Sequence, residues 1–393
     1  MKFHQVFAWV VMFGCLNHWT ASVSAQTAFQ ESSLSQEQQD RLEDAGDHRV
    51  VWKEAFTRVP PEHRKGLAFL LENMSDSDLK SLSADFLVEH VQGAYEAWMN
   101  APWKTQIDED LFLNGILPYA NVSERRDAWR KDFRNRFLPL VEGASSPGEA
   151  AAKLNQTIYG MLDVKYSAQR KKADQSPYES IEYHTASCTG LSILLIDACR
   201  SVGVPARFVG TPLWSDRSGN HSWVEVWNDG DWHFTGACEP AGNRLDEGWF
   251  IARASEAKVD EPRHAIYAVS FKKTPLLFPM VWDRSGNRSY AINVTSRYTN
   301  KKLELEEGKI RVRLRVIDPT HRHRIATTVT VSDDRGNKLA EAKTRDEGFD
   351  TNDHVELVVA INQTLKIRID GSSSEQTVIA NQKDQLITLE RTP

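Results

Sequence analysis

Hydrophobic residues recur at helical spacing through much of the first third of the chain. Phe86, Leu87, Val91 and Trp98 fall on one face of a helix. Aromatic stripes of this kind are usually helix faces buried against neighbours rather than ligand grooves. We therefore predict that residues 26–142 form a polar leader followed by a helical region, which packs on the next domain.

The middle of the chain changes to one apolar helix and several short strands. The helix begins at Cys188, where a polar loop ends and a preceding serine or threonine can cap the first turn. A strand opens at His221, and the pair Asp229-Gly230 is typical of the tight turn of a hairpin. These elements belong to a domain that we predict over residues 143–275.

Beyond residue 275 the hydrophobic pattern alternates with a period of two. Ile310, Val312, Leu314 and Val316 alternate with three arginines, which gives one apolar and one cationic strand face. Further strand-like runs separated by turns predict a small antiparallel β-sandwich over residues 276–393. The cationic face is expected to be solvated, with contact to an anionic envelope polymer as the alternative.

Cys188 and His221 together provide the elements of thiol chemistry. Unpaired backbone N–H groups and the positive end of the helix dipole favour a thiolate at a helix start. A histidine can take the thiol proton, and an acid on the following strand can orient the histidine. The chain therefore presents a nucleophile, a base and an orienting acid in that order.

This arrangement resembles the transglutaminase-like superfamily, which includes transglutaminases, bacterial cysteine proteases and peptide N-glycanases. The matching segments are Ser187–Gly190 with its apolar helix, Gly203–Arg207 entering a strand, and His221–Val226 before a hairpin and Trp232. The resemblance implies an α+β core of the papain/transglutaminase type, in which a helix packs on an antiparallel sheet. It also implies a cysteine-dependent amide hydrolase or acyltransferase. The sequence has no strong metal motif or nucleotide-binding glycine loop, so we expect no cofactor or metal.

The orienting acid departs from the family pattern. The family usually places an aspartate shortly after the hairpin tryptophan, where this chain has Gly236. Glu239, which precedes a proline, supplies an acid three residues later, and it resembles the glutamate of the peptide N-glycanase version of this strand. We therefore predict that Glu239 orients His221, reaching it through a bulge that Gly236 permits. Asp231 and a backbone or amide acceptor are the alternatives.

The predicted reaction is acyl transfer from an amide bond of a protein or peptide to the Cys188 thiol. Resemblance to bacterial members of the superfamily favours hydrolysis over cross-linking. A non-catalytic transglutaminase-like module that docks onto protein or cell-wall material is the rival hypothesis, and Gly236 at the usual acid position supports it. A third hypothesis is a zinc hydrolase that uses Cys188, His221 and Cys238.

The amino terminus has the features of a secretory signal peptide. A basic start is followed by an apolar run over Val6–Leu16 and by small residues up to Ala25. The run is too short for a comfortable membrane span. We therefore predict a signal peptide over residues 1–25, export to the periplasm or the medium, and no transmembrane segment afterwards. Cys15 suggests a lipoprotein signal, but the residues before it fit poorly, so simple cleavage is favoured.

The net charge bears on the class of partner, and the number of cysteines bears on disulfide bonding. The net charge of −6 gives no basic footprint, so nucleic acid is excluded as a partner. The expected partners are protein or peptide substrates, including cell-wall peptide. Signal cleavage would leave Cys188, Cys199 and Cys238, an odd number, so at least one thiol is free or pairs with another molecule. Cys199 is expected to be a small buried residue, with a Cys199–Cys238 disulfide as the alternative.

Overall fold

The structure is a computed structural model that describes residues 29–283, 289–300 and 305–392, so the predicted signal peptide and Cys15 lie outside it. Helices dominate the first part of the described chain, as the apolar stripes predict. They are α1 (Gln36–Asp44), α2 (Arg49–Arg58), α3 (Arg64–Asn73), α4 (Asp76–Leu79), α5 (Ala84–Asn100), α6 (Glu109–Gly115) and α7 (Arg130–Phe137). Within the described ranges, no helix is at once long enough and apolar enough to cross a bilayer.

A central helix organises the next part of the chain. The helices here are α8 (Pro147–Leu162), α9 (Pro177–Tyr183), α10 (Cys188–Ser201), α11 (Ile251–Ala254) and α12 (Thr295–Thr299). Every residue of α10 after Cys188 is buried, because α5, α7 and α8 contact one side of it and a sheet contacts the other. The N-terminal helices and this domain share one continuous hydrophobic core, as the sequence predicts.

The sheet against α10 has six strands. Two short strands, β1 (Lys165–Tyr166) and β2 (Thr185–Ala186), pair in parallel just before it, and the sheet itself comprises β3 (Ala206–Thr211), β4 (His221–Asn228), β5 (Asp231–Thr235), β6 (Tyr267–Ser270), β7 (Leu276–Leu277) and β8 (Tyr290–Asn293). The strand order is β5-β4-β3-β6-β8-β7, and every pairing is antiparallel. Positive φ angles at Asp229 and Gly230 form the predicted hairpin turn.

The core domain extends further along the chain than the change in sequence pattern suggests. Strand β8 pairs with β6 from Tyr267↔Asn293 to Ser270↔Tyr290, and β7 pairs with β8. Residues 276–283 and 289–299 therefore complete the core sheet and its flanking helix rather than beginning the sandwich. Strand β7 is only two residues long and β8 only four, so neither gives a clear alternating pattern in the sequence.

Two facing sheets form the C-terminal sandwich. Its strands are β9 (Lys309–Ile317), β10 (Thr328–Ser332), β11 (Lys338–Lys343), β12 (Val355–Ala360), β13 (Gln363–Ile369), β14 (Glu375–Ala380) and β15 (Gln385–Glu390). The sheets have the orders β11-β10-β13-β14 and β12-β9-β15, and their inward side chains form a separate hydrophobic core. The antiparallel prediction is wrong for one pair, because β15 runs parallel to β9.

Two of the three arginines on this face of β9 are buried against the core domain, which corrects for them both expectations from the sequence. Arg313 is 5% exposed, and its guanidinium lies 2.7 Å from Asp216 of the core domain and 3.1 Å from Asp384. Arg311 is equally buried and lies 3.5 Å from Glu256 of the core domain. Acids of the core domain thus pair with these arginines, and the two domains share a charged seam.

Candidate active site

Cys188 is the first residue of α10, as predicted. The Ser187 hydroxyl caps the helix by accepting hydrogen bonds from the N–H groups of Thr189 (3.1 Å) and Gly190 (3.2 Å). The Cys188 side chain is half-buried. In the described part of the chain the N–H of Cys188 has no hydrogen-bond partner, so a backbone donor is available beside the thiol.

His221 is the first residue of β4 and lies in an aromatic enclosure. Its ring is 1% exposed. Four aromatic rings surround it, with centroid distances of 4.8 Å to Trp249, 5.0 Å to Phe250, 5.8 Å to Trp223 and 6.0 Å to Trp214. Neither imidazole nitrogen makes a hydrogen bond within the described residues. The ring is therefore shielded from water while both of its polar atoms remain available for chemistry.

The charged group opposite His221 is Asp350, which comes from the sandwich. Its Oδ2 lies 3.5 Å from Nδ1 of His221, and the Asp350 side chain is 4% exposed. Donor atoms of Cys188, His221 and Asp350 all lie within 4.8 Å of one another. The His221–Asp350 contact is longer than a good hydrogen bond, and contacts of this kind often tighten only when substrate binds. The trio thus joins two residues of the core domain to one in the connection between β11 and β12.

Glu239, the acid predicted from the sequence, is buried nearby but has another partner. Its Oε2 accepts a hydrogen bond of 2.9 Å from Nε1 of Trp249. A tight turn brings the Glu239 N–H to the carbonyl of Gly236, and a Cβ on Gly236 would lie 2.4 Å from Glu239 Oε2. Among the described residues, no hydrogen bond or ion pair joins Glu239 to His221. This turn directs Glu239 to Trp249, and Asp350 takes the place beside His221.

The alternative acid, Asp231, also lies away from His221. It opens β5 and pairs in register with Asn228, at the opposite end of β4 from His221. Its carboxylate accepts a hydrogen bond of 2.5 Å from Arg297. Asp231 therefore stabilises the hairpin rather than the histidine.

Burial dominates the ionisation of the site. Burial raises the pKa of Cys188 to about 12, the Asp350 carboxylate adds to this shift, and the N–H of Ser222 opposes it. Burial also opposes ionisation of Asp350, but the close contact with His221 and the charge of its imidazolium hold the pKa of Asp350 below its usual value. Burial, and then the nearby Asp350, raise the pKa of Glu239 well above its usual value. The helix start therefore does not yield the low-pKa thiolate expected from the sequence.

Cys188, His221 and Asp350 also form a group whose donor atoms could hold a metal ion. Zinc ligands lie about 2.0–2.3 Å from the metal, so donors of a tetrahedral site are roughly 3.3–3.8 Å apart. The three donors would have to move closer than their present spread of 4.8 Å. Cys238, which the zinc hypothesis used, is not in this group.

The other two described cysteines are free thiols. Cys199 is fully buried in α10, as expected for a small core residue. Cys238 is half-buried in the turn before Glu239, and its N–H donates to Asn155 at 2.9 Å. The alternative Cys199–Cys238 disulfide is therefore not formed in this structure.

Sequence reasoning does not find Asp350. It lies in a polar turn between strands of a different domain, where acids are common and no periodicity marks one of them. The available signal is indirect: Gly236 stands where the family usually has its acid, so another segment has to supply one. That signal does not indicate where in the sequence the acid lies.

Residues 135–236 match the model of the Transglutaminase-like superfamily, which confirms for this segment the resemblance seen in the sequence. The matched segment contains Cys188 and His221 and ends at Gly236. Asp350 and the sandwich lie outside it. No curated protein matches the chain.

Three solved structures show low similarity. A protein from Cytophaga hutchinsonii described as a putative cysteine protease is 17% identical with a TM-score of 0.28, over 48% of this chain and 64% of that chain. The Bacillus anthracis TIE protein is 6% identical with a TM-score of 0.18, over 48% and 30%. Red sea bream transglutaminase is 9% identical with a TM-score of 0.24, over 75% and 59%. This chain spans less than two thirds of the length of each of these structures.

Proposed function

We propose that this protein is an exported cysteine-dependent enzyme that acts on amide bonds of proteins or peptides through Cys188, His221 and Asp350. The observation that carries the proposal is the convergence of a thiol, an imidazole and a carboxylate within 4.8 Å. Two of the three lie in the segment that matches the Transglutaminase-like superfamily. Export rests on the signal-peptide features of the amino terminus.

The arrangement supports proton transfer coupled to nucleophilic attack. Since the thiol holds its proton at neutral pH, His221 takes that proton as Cys188 Sγ attacks the carbonyl carbon, and Asp350 stabilises the imidazolium. The Cys188 N–H is placed to donate to the carbonyl oxygen as it becomes an oxyanion. The C–N bond then breaks, His221 protonates the departing amine, and a thioester remains on Cys188.

The second half of the reaction sets the product. His221 deprotonates a water molecule, which attacks the thioester, and the C–S bond breaks to release a carboxylic acid and restore the thiol. We favour this hydrolysis over attack by a second amine, which would cross-link two chains. Peptides of the cell wall are substrates that an exported enzyme of this kind would meet.

The rival hypothesis is a non-catalytic binding module. Its main support in the sequence was Gly236, which stands at the position where the family usually has its acid. Asp350 weakens that argument, because it supplies a carboxylate to His221 from another segment. Burying the His221 imidazole among aromatic rings without hydrogen bonds to its nitrogens also costs free energy of folding, which favours a role for those nitrogens in proton transfer.

The deciding experiment measures alkylation of the three described cysteines by iodoacetamide, followed by peptide mass spectrometry, in the wild type and in His221→Ala. His233→Ala is the matched control, because His233 also faces an acid, Asp246, at 2.8 Å but lies on an exposed hairpin. We expect Cys188 to react fastest in the wild type and in His233→Ala, and to slow at least about 100-fold in His221→Ala.

A substrate assay accompanies this measurement. Release of fluorescent peptides from labelled casein reports hydrolysis, and incorporation of a fluorescent primary amine reports transamidation. Equal, slow alkylation of Cys188 in all three proteins, with neither activity present, would favour the binding module.

A further inference from the structure

The segment that carries Asp350 is held from within the sandwich by one buried arginine. The Arg324 side chain is 5% exposed. Its guanidinium donates to the carbonyls of Phe349 (2.6 Å), Asp350 (2.9 Å) and Asp353 (3.3 Å). These bonds give residues 349–353 a defined shape, since five guanidinium donors in a fixed plane meet several carbonyls at once. They do not set where the segment lies relative to Cys188.

Contacts with the core domain set that position. The Tyr166 hydroxyl lies 3.2 Å from the N–H of Thr351 and 3.0 Å from its Oγ1. A hydroxyl can accept from the N–H and donate to the threonine oxygen at the same time. Burial raises the pKa of Tyr166 to about 12, so the hydroxyl keeps the proton that it donates. One side chain thus holds the residue next to Asp350 by two hydrogen bonds.

Tyr166 is itself fixed to the strand that leads to the nucleophile. It lies in β1, where it pairs in parallel with Ala186 of β2, and the N–H of the next residue, Ser167, donates to the carbonyl of Ala186 at 2.9 Å. Ala186 precedes Cys188 by two residues. The Tyr166 side chain therefore spans the gap between the nucleophile strand and the acid segment.

We propose that Tyr166 is a positioning residue that sets the distance from Asp350 to His221 and Cys188 by holding Thr351 against the core domain. The inference rests on the proposed function, since it assigns Tyr166 to the same catalytic trio. Arg253 of the core domain adds a second tie, donating to the carbonyl of Asn352 at 3.0 Å. Tyr166 differs from Arg253 in that it connects directly to the strand before Cys188.

The test is the rate of Cys188 alkylation by iodoacetamide at pH 7 in Tyr166→Phe. Tyr178→Phe is the matched control, because Tyr178 is also half-buried and its hydroxyl bonds Asp132 at 3.3 Å, away from residues 349–353. We expect Tyr166→Phe to slow alkylation about tenfold, since two hydrogen bonds are lost, and Tyr178→Phe to change it by less than about twofold.

Combination with Asp350→Asn separates positioning from general structural support. If Tyr166 acts through Asp350, Tyr166→Phe has less than about a twofold effect once the Asp350 charge is gone. A hydroxyl that only supports the fold would slow the Asp350→Asn protein by the same factor as the wild type. Should Tyr166→Phe fail to fold, Thr351→Val replaces it, with an expected slowing of about threefold because one of the two bonds is kept.

The outcomes distinguish the two proposals. Suppose that Cys188 in the wild type is alkylated fast and that this needs His221. The positioning role is then overturned, and the enzyme proposal stands, if Tyr166→Phe is alkylated at the same rate as Tyr178→Phe. The same holds if Tyr166→Phe slows the Asp350→Asn protein by the same factor as the wild type. If wild-type alkylation does not need His221, the proposed function fails, and the role of Tyr166 fails with it.

Discussion

Replacing Asp350 by asparagine removes the negative charge opposite His221 while nearly preserving the side chain's size. Two effects on Cys188 then oppose each other. The carboxylate repels a thiolate and raises the pKa of Cys188, so its removal alone should increase thiolate reactivity. The same carboxylate stabilises the imidazolium that forms when His221 takes the thiol proton, so its removal should decrease reactivity. The proposed mechanism requires the second effect to be larger.

The magnitude follows from the geometry. Opposite unit charges 3.5 Å apart attract by about 5 kcal/mol at an effective dielectric constant of about 20. Asparagine keeps an acceptor oxygen and avoids the cost of a buried carboxylate, so we expect a net loss of about half, roughly 2–3 kcal/mol. At about 1.4 kcal/mol per factor of ten, this is a slowing of about 30- to 150-fold.

The assay is the second-order rate constant of Cys188 alkylation between pH 5 and pH 10. In the wild type we expect a plateau around neutral pH, since the thiol proton moves to His221 without leaving the site. In Asp350→Asn we expect a rate that climbs with pH, because hydroxide must then remove a proton from a thiol with a raised pKa. Asp246→Asn is the control, since Asp246 faces His233 on the surface.

A faster reaction in Asp350→Asn would refute the reasoning. It would show that repulsion of the thiolate is the main effect of Asp350, and that His221 does not form an imidazolium there. A melting temperature that matches the wild type in both asparagine variants excludes partial unfolding as the cause.

Three further predictions test the surroundings of the site. Because burial raises the pKa of Glu239 well above its usual value, the folded protein keeps a proton that the unfolded chain releases as the pH rises above about 4.5. Glu239 therefore contributes a fall in stability with rising pH, and Glu239→Gln should make the loss of stability in urea over this range smaller without slowing alkylation. Gly236→Ala should lower the free energy of unfolding by about 1–3 kcal/mol, because its Cβ would lie 2.4 Å from Glu239 Oε2, whereas Gly160→Ala, in an open helical position, should raise it by about 0.5–1 kcal/mol. Arg313→Ala should cost about 2 kcal/mol by urea denaturation, because it removes a buried guanidinium that pairs with the half-buried Asp216 and Asp384, although Asp216 keeps Arg253 as a partner. The half-exposed Arg315→Ala should cost less than about 1 kcal/mol in the same assay.

Local signals explain why the sequence predicts two of the three residues of the candidate site, Cys188 and His221. The helix start at Cys188 is encoded by the residues next to it: a capping serine before it and leucines at helical spacing after it. The strand start at His221 is likewise marked by alternation and by a turn dipeptide. Such features depend on chain neighbours, which a sequence presents directly.

The remaining features depend on contacts between distant segments. Asp350 reaches His221 because the sandwich docks on the core domain, and the docking depends on arginines whose partners lie on another domain. The same limit hides the parallel pairing of β15 with β9, since strand direction is set by topology rather than by alternation. Glu239 is the opposite case. The sequence places an acid at a plausible spacing from His221, but the close contact with Gly236 turns its carboxylate towards Trp249.

Under the proposed function, the position of Asp350 in the second domain also governs when the trio of Cys188, His221 and Asp350 comes together during synthesis. A chain emerging from the ribosome presents Cys188 and His221 first, and domains fold largely in that order. Asp350 lies before β12, and the sheet of β12, β9 and β15 can form only once β15, which follows Asp350 in the chain, has been synthesised. The thiol therefore stays without its full proton relay while the nascent chain is still unfolded, when the cell's own polypeptides are nearest.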